Sequence, residues 1–277
     1  MKLARTGQGG QDKADRTRRK ASRIVENALS SAFKPKSLRG GSRKPTPGRI
    51  EPCKEGVPIA PAIDPRQAAQ PQYWTKLFTG MSDAYRNLPM SQKAVDVTDF
   101  LIASGAAEIL DVGCGLGRWC IYMAKRGLRP TGVDIVELAV QAARKWAETE
   151  GVDASFVVAS ATSLPFPKAS FDGYVGSRLL DHLGLDNARK AVEEMTRVLR
   201  PGGVFFLSFD GPDTMPSPHE VMPDGSWYYT DGPFAGLIWR HFTDAEITGL
   251  LEGLELTGFT ITETGARWVF GRVPEVS

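Results

Sequence analysis

The sequence contains few of the residues that build metal centres or disulfide frameworks. Its 277 residues include only three cysteines and three histidines. Three cysteines without a CxxC pair supply neither a disulfide framework nor the usual zinc motif, so we expect no metal. No apolar run approaches the ~18 residues that span a membrane, and no apolar signal-peptide core follows the N-terminus. These absences predict a soluble, cytoplasmic protein that makes no contact with membranes.

Basic charge is scarce outside the N-terminal segment. Residues 1–50 carry 14 Lys and Arg against 3 Asp and Glu, whereas the remaining 227 residues carry 20 basic and 29 acidic side chains. Residues 1–70 also contain spaced prolines, glycine pairs and little apolar surface, so we predict that they form a largely disordered basic tail. Within this tail, residues 24–33 have apolar residues at the spacing of a short amphipathic helix.

The periodicity of residues 71–277 predicts an α/β domain. Two N-terminal helices are expected within residues 71–104, at 73–85 and 91–104. Strands then alternate with helices of ten or more residues, which predicts a doubly wound, mostly parallel sheet with helices on both faces. The predicted strands cover residues 108–112, 129–134, 155–159, 171–177 and 203–209, and an antiparallel pair at 259–264 and 267–272 ends the chain.

A glycine-rich turn follows the first predicted strand and opens a helix. It reads Asp111-Val112-Gly113-Cys114-Gly115-Leu116-Gly117. Glycines there allow a ligand to approach the backbone, although a tight turn without a ligand is the alternative. Asp134, at the end of the second strand, can accept hydrogen bonds from a ribose diol. A carboxylate at the start of the turn repels a pyrophosphate, so a nucleoside cofactor that carries ammonium and sulfonium groups fits better.

Further motifs accompany this turn. They are Gly132-Val133-Asp134, Ser163-Leu164-Pro165-Phe166-Pro167, Ser170-Phe171-Asp172 and Leu199-Arg200-Pro201-Gly202-Gly203. Together, in this order and spacing, the motifs resemble the class I S-adenosylmethionine-dependent methyltransferases, in particular the type 11 small-molecule group. The resemblance covers about residues 72–277. It implies a Rossmann-like seven-stranded sheet, S-adenosyl-L-methionine as the cofactor, and in-line methyl transfer to an acceptor.

The resemblance also implies which residues bind the cofactor. Asp111 and Gly113 would hold its methionine end, Asp134 its ribose, and Ile135 would pack on the adenine. The full predicted set is Asp111, Gly113, Gly115, Gly117, Asp134, Ile135, Ser160, Ala161 and Ser177.

Three positions later in the chain complete the predicted site. The resemblance places Ser160 where the family usually has a carboxylate that reads the adenine edge, and it places Ser177 beside the transferred methyl group. An acceptor that loses a proton needs a base with a pKa near neutrality. Among the three histidines, His182 follows the fourth strand and is the predicted catalytic base. A packing role at the start of a helix is the alternative for His182.

The segment after the fourth strand predicts a small-molecule acceptor. Residues 177–182 lack the Asn/Asp-Pro-Pro-aromatic signature of enzymes that methylate amino groups of nucleic acids. Residues 211–242 form a long aromatic insert, expected to be either a lid over the site or a β-hairpin extension that covers the sheet edge.

Two other functions remain as alternatives. An NAD(P)-dependent reductase with an atypical glycine turn would use the same strand–turn–helix unit. A nucleic-acid-associated protein would use the basic tail to bind phosphates. Nucleic acid is not the favoured partner, because the acidic remainder of the chain repels a polyanion.

Overall fold

One large sheet and one small sheet contain all the strands of residues 64–81, 84–211 and 217–275, which the computed structural model describes. The strands in chain order are β1 (Glu108–Val112), β2 (Arg129–Asp134), β3 (Ser155–Val158), β4 (Phe171–Ser177), β5 (Leu199–Phe209), β6 (His219–Val221), β7 (Trp227–Tyr229), β8 (Ile238–Trp239), β9 (Glu255–Ile261) and β10 (Arg267–Arg272). The large sheet has the order β3-β2-β1-β4-β5-β10-β9. Strands β1 to β5 pair in parallel, and β10 is antiparallel to both of its neighbours. The predicted seven-stranded sheet is therefore confirmed.

Helices cover both faces of the large sheet, as the alternation of strands and helices predicted. They are α1 (Pro65–Ala68), α2 (Gln70–Thr79), α3 (Ala84–Asn87), α4 (Gln92–Ala103), α5 (Arg118–Lys125), α6 (Glu137–Glu150), α7 (Leu185–Val198) and α8 (Asp244–Leu250). Residues of α4, α5 and α6 share one core cluster with Ile109, whereas α7 and α8 share another with Leu110. These two neighbours on β1 are both fully buried, which is typical of a strand covered on both faces. Within the described residues, none of these helices has both the length and the apolar character needed to cross a lipid bilayer.

The N-terminal helices differ from the expected ones. The helix predicted at residues 73–85 is shorter: α2 ends at Thr79 and is followed by Gly80, and α3 is a separate turn of helix. Helix α1 lies within residues 1–70, the segment predicted as tail, and the Asp64 carboxylate caps it by accepting from the backbone N–H of Arg66 at 2.9 Å. Helical structure therefore begins before residue 71. Residues 1–63, with the amphipathic helix predicted at 24–33, lie outside the described residues.

The aromatic insert forms the small sheet, in which β7 pairs antiparallel with β6 and β8. Its buried residues Tyr229, Leu237 and Trp239 pack with Tyr73 and Trp74 of α2. The insert is therefore a small β-sheet whose aromatic side chains cover α2, and its role as a lid stays a prediction.

One glutamine joins α2 to this small sheet. The side-chain amide of Gln70 donates from Nε2 to the carbonyl oxygen of Gly236 at 2.7 Å, and its Oε1 accepts from the backbone N–H of Ile238 at 3.1 Å. Gln70 is buried, and its hydrogen bond with Ile238 is shielded from solvent, whereas the bond to Gly236 is partly buried. The insert thus fixes the position of α2 over the carboxyl ends of the strands.

Candidate active site

A cavity of about 380 Å³ lies between helix α2 and the carboxyl ends of β1, β2 and β4. Since β1 is flanked by β2 on one side and β4 on the other, this is the point of the sheet where strand order reverses and where open α/β sheets bind their ligands. Its volume falls in the range of small-molecule sites. The predicted site residues that line it are Gly113, Asp134, Ile135, Ser160, Ala161, Ser177 and His182.

Gly113 lines the cavity with backbone atoms alone, because it has no side chain. Its φ of +75° is left-handed, and a Cβ built on it would lie 3.1 Å from Cδ1 of Leu179. The backbone N–H groups of Gly113 and Cys114 both donate to the carbonyl oxygen of Val133, at 2.8 and 3.0 Å. A side chain at position 113 would therefore be strained and would crowd Leu179, which also lines the cavity.

The other two glycines of the turn lie outside the cavity lining. A Cβ on Gly115 would meet the ring of Phe78 at 3.2 Å. Gly117 precedes α5 with a φ of +79°, and its Cβ would lie 2.7 Å from Cβ of Ala143 and from Cε1 of Phe156. Gly117 thus packs between helices and strand outside the cavity lining, and its place in the cofactor-binding set stays a prediction.

Asp134 lies at the cavity with both carboxylate oxygens already hydrogen-bonded. Oδ1 accepts from the backbone N–H of Val136 at 2.9 Å, and Oδ2 accepts from that of Gly115 at 2.8 Å. Burial raises the pKa of this carboxyl, and the backbone donors oppose the rise. Each oxygen keeps a second lone pair, so Asp134 can still accept from a diol. Ile135 beside it is 46% exposed and offers an apolar surface.

Asp111 is buried behind the turn and does not line the cavity. Its Oδ2 accepts from the Cys120 thiol at 3.3 Å, and burial raises its pKa to about 7. A cation in the neighbouring cavity would favour the ionised form of this carboxyl. Asp111 can therefore act on a ligand through its charge, although it is not part of the cavity wall.

Two hydroxyl groups lie at the position where the family usually has a carboxylate and where the resemblance implies the adenine edge. Ser160 Oγ is 2.9 Å from Thr162 Oγ1 and accepts from the backbone N–H of Thr162 at 3.2 Å. Ala161 between them is buried. Hydroxyl groups both donate and accept, so this pair can bind a heterocycle edge without a charge.

His182 is buried between two indole rings. Its ring centroid lies 4.7 Å from that of Trp74 and 5.0 Å from that of Trp239. Nδ1 lies 3.2 Å from the carbonyl oxygen of Ile238, which only accepts, so Nδ1 carries the proton and Nε2 is the free acceptor. Burial lowers the pKa of His182 to about 4. The ring is therefore neutral at pH 7 and is a weak proton acceptor.

Several residues of the site have no counterpart in the sequence prediction. Helix α2 supplies much of the cavity wall through Gln70, Trp74, Leu77 and Phe78. The i, i+4 spacing of Trp74 and Phe78 places both rings on one face of a helix, and this was the sequence pattern that could have predicted them as cavity residues. Lys93 on α4 donates to Ser177 Oγ at 2.9 Å, although the two residues are far apart in the chain and no local pattern links them. Within the described residues, no group of His, Cys, Asp and Glu side chains is arranged to hold a metal ion.

Comparisons with known proteins agree with this geometry. Residues 109–203 match the family model of a methyltransferase domain, which confirms the resemblance seen in the motifs. The S-adenosyl-L-methionine-dependent Diels-Alderase iccD of Talaromyces variabilis is 36% identical over 112 residues, which cover 39% of this chain and 38% of that protein. Norajmaline N-methyltransferase of Rauvolfia serpentina is 31% identical over 121 residues, which cover 42% and 41%. The chain thus spans about two fifths of the length of each of these curated relatives.

A solved structure matches a larger part of this chain than the curated relatives do. A SAM-dependent methyltransferase of Methanosarcina mazei is 28% identical, with a TM-score of 0.53, over 61% of this chain and 93% of that one. Neither the reductase nor the nucleic-acid alternative is supported by the matched proteins.

Proposed function

We propose that this chain, whose residues 109–203 match the family model of a methyltransferase domain, transfers a methyl group from S-adenosyl-L-methionine to a small molecule. The observation that carries this proposal is the cavity at the point where strand order reverses. There the bare backbone of Gly113 and the carboxylate of Asp134 face one space. Glycine backbone at the end of β1 and a carboxylate at the end of β2 fit a cationic nucleoside cofactor. The Arg178 guanidinium also lines the cavity, but it follows β4 and is paired with the Asp210 carboxylate at 2.7 Å.

The proposed placement of the cofactor follows the strand order. Asp134 on β2 would accept from the ribose hydroxyls, and Ile135 would pack on the adenine. Ser160 and the neighbouring Ala161 would lie at the edge of the adenine. Gly113 at the end of β1 would leave room for the methionine end, and Asp111 behind it would stabilise the ammonium group. Ser177 at the end of β4 would then lie at the reacting end.

In this reaction the protein aligns the acceptor with the methyl group and excludes water. Bound S-adenosyl-L-methionine supplies a methyl group on a sulfonium, which is already a good leaving group. Holding the acceptor in line with that methyl group can contribute ~7–11 kcal/mol to lowering the barrier. Trp74 and His182 form an aromatic wall at the acceptor end of the cavity, and this wall excludes water.

The acceptor that we propose is a small, partly apolar molecule. Helix α2, held by Gln70, covers the strand ends and leaves a cavity of limited volume. His182 would contact the acceptor through its unprotonated Nε2. We further propose a cytoplasmic location for this activity, in keeping with the free thiols of Cys114 and Cys120.

Isothermal titration tests the cofactor. We expect S-adenosylhomocysteine to bind with micromolar affinity and NADH not to bind. Binding of NADH alone would contradict the proposal and favour a reductase.

A screen of small molecules for release of S-adenosylhomocysteine then tests methyl transfer. Release that depends on an added acceptor is the expected result. Tight binding of the cofactor without release for any acceptor would favour a reaction in which the cofactor is retained.

A further inference from the structure

Lys93 belongs to a hydrogen-bonded cluster beside the cavity. The lysine lies on α4 and is half-buried, and its ammonium group donates to Ser177 Oγ at 2.9 Å and to Ser208 Oγ at 3.3 Å. The two hydroxyl oxygens are themselves 3.3 Å apart. Ser177 lines the cavity, so the cluster connects the half-buried lysine to the ligand space.

The cluster lies next to the proposed reacting end of the cofactor. Across the sheet, Asp134 ends β2, Gly113 follows β1, Ser177 ends β4 and Ser208 lies near the end of β5. A cofactor bound over β2 and β1 leaves the ends of β4 and β5 to the acceptor. Lys93 is therefore on the acceptor's side of the site.

A count of protons fixes the direction of the hydrogen bonds while Lys93 is charged. Ser208 Oγ accepts from Lys93 and from the backbone N–H of Arg178 at 3.1 Å, so its own proton goes to Ser177. Ser177 Oγ then accepts twice, from Lys93 and Ser208. Its hydroxyl proton has no acceptor in the part of the chain that the structure describes, so it is free to point into the cavity.

Loss of the lysine proton reverses this arrangement. A neutral Lys93 has a lone pair that accepts the Ser177 hydroxyl proton, and Ser177 Oγ then has a free lone pair facing the cavity. Ser177 can thus donate to a bound molecule or accept from it, and the charge of Lys93 decides which.

The backbone beside Ser177 is strained. Arg178 has a φ of +55°, which is uncommon for a residue other than glycine, and its N–H bond to Ser208 helps to hold it there. Strain of this kind persists only where the surroundings enforce it, and it is concentrated at functional sites.

We propose that Lys93, acting through Ser177, takes up the proton of a phenolic hydroxyl during methyl transfer; this inference rests on the function proposed above. The acceptor oxygen forms a bond to the methyl carbon, and the carbon–sulfur bond breaks with its electron pair remaining on sulfur. The hydroxyl proton passes to Ser177 Oγ, while the Ser177 proton passes to the neutral amine of Lys93. The products are the methyl ether, S-adenosylhomocysteine and a charged Lys93.

Electrostatics and shape both fit a phenol. Burial, and secondarily the guanidinium of Arg178, lower the pKa of Lys93 to about 8, while Asp210 and Asp181 oppose the shift. The pKa of a phenol is about 10, so passing its proton to such an amine is unfavourable by about two pKa units, and the irreversible methyl transfer completes it. The aromatic walls of Trp74 and Phe78 suit a flat ring. Lys93 is thus a positioning residue that also stores the proton.

The test uses the full-length protein and a set of substituted phenols as probes. We expect Lys93→Met to lower kcat by about 100-fold or more, because the proton has no acceptor. Lys93→Arg should be equally slow, since it keeps the charge and the hydrogen bonds but does not release a proton. The exposed Lys190 on α7 provides the control, Lys190→Met, which should retain the activity of the unmodified protein.

The pH profile separates proton uptake from a structural role. For the unmodified protein kcat should rise through one ionisation near pH 8, and this step should be absent in Lys93→Met. Full activity of Lys93→Arg with an unchanged profile would overturn the proposal, and so would turnover of no phenol by a protein that binds S-adenosylhomocysteine. Failure of the unmodified protein to bind S-adenosylhomocysteine would instead refute the proposed function.

A second measurement needs neither a variant nor an acceptor. Competitive acetylation across pH, read by peptide mass spectrometry, measures the titration of each lysine, with Lys190 as the accessible internal standard. Lys93 should show a midpoint near pH 8. A midpoint at the ordinary lysine value of about 10.4 would overturn the proposal.

Discussion

Replacing Gly117 by alanine should destabilise the domain without removing the cofactor site. The new Cβ would lie 2.7 Å from Cβ of Ala143 and from Cε1 of Phe156, whereas carbon atoms in contact prefer about 3.5–4.0 Å. Two costs add at this position. The left-handed backbone costs an alanine ~1–2 kcal/mol, and overpacking of a filled core costs ~1–3 kcal/mol. The expected loss of unfolding free energy is therefore about 2–5 kcal/mol.

Gly151 provides a matched control, because it shares the backbone conformation without the crowding. It caps the C-terminus of α6 with a φ of +63°, and no atom lies within 4 Å of its built Cβ. Gly151→Ala should therefore lose only the ~1–2 kcal/mol of unfolding free energy that an alanine loses in the left-handed backbone conformation. The difference between the two variants isolates the contact with Ala143 and Phe156.

Urea denaturation of both variants measures these losses, and titration with S-adenosylhomocysteine measures binding under native conditions. We expect folded Gly117→Ala to bind within about twofold of the unmodified protein, because Gly117 does not line the cavity. Equal stability losses in the two variants would refute the packing argument. Lost binding at unchanged stability would show that Gly117 contacts the cofactor.

Three further predictions concern residues of the cavity and its support. Asp134→Ala should weaken binding of S-adenosylhomocysteine by ~1.5–3 kcal/mol in calorimetry, and unchanged affinity would mean that the ribose lies elsewhere. The pKa of His182 is about 4 in the folded protein and about 6.5 in the unfolded chain. Its neutral ring therefore contributes about 3 kcal/mol to the free energy of unfolding above pH 6.5, and this contribution is lost as the pH falls to 4. Unfolding measured at pH 7 and 4.5 should show a smaller pH dependence for His182→Phe, and equal dependence would contradict the burial argument. Gln70→Ala should cost ~1–3 kcal/mol in denaturation, because it leaves the N–H of Ile238 without a partner. The control is Gln72→Ala at an exposed position of the same helix, and equal losses would contradict this role for Gln70.

Most strands of the large sheet were predictable because they contain apolar residues between turn residues. Strand β9 is the exception: it covers Glu255–Ile261 instead of the predicted 259–264, and its side chains are mostly exposed. The expected bounds of β1, β2, β4 and β10 agree with the structure. Strand β5 begins earlier than predicted, at Leu199, because this residue pairs with Phe171 across an irregularity in the ladder. A pairing partner in another strand decides such an end, and the local sequence carries no trace of it.

The sequence predicts residues of the cavity lining where they lie at or just after the carboxyl ends of strands. Gly113 and Asp134 lie at strand ends, so strand prediction already places them at the cavity. Gly113 lies at the cavity, whereas Gly117 packs against Phe156. This difference was not predictable from the turn itself, because Phe156 lies on another strand. Lys93 and Ser177 are 84 residues apart, so their contact follows from the tertiary fold alone.

The hydrogen bonds of Gln70 also determine when, during synthesis, the cavity can exist. Gln70 and Gly236 are separated by 166 residues, so α2 lacks the hydrogen bonds that hold it over the strand ends until the small sheet has been made. At typical elongation rates that interval lasts on the order of 10–30 s. The first four strands can pair during this time, but no ligand can stabilise the nascent chain through a closed site. Ligand-dependent protection from proteolysis should therefore begin abruptly once the chain beyond β8 has emerged.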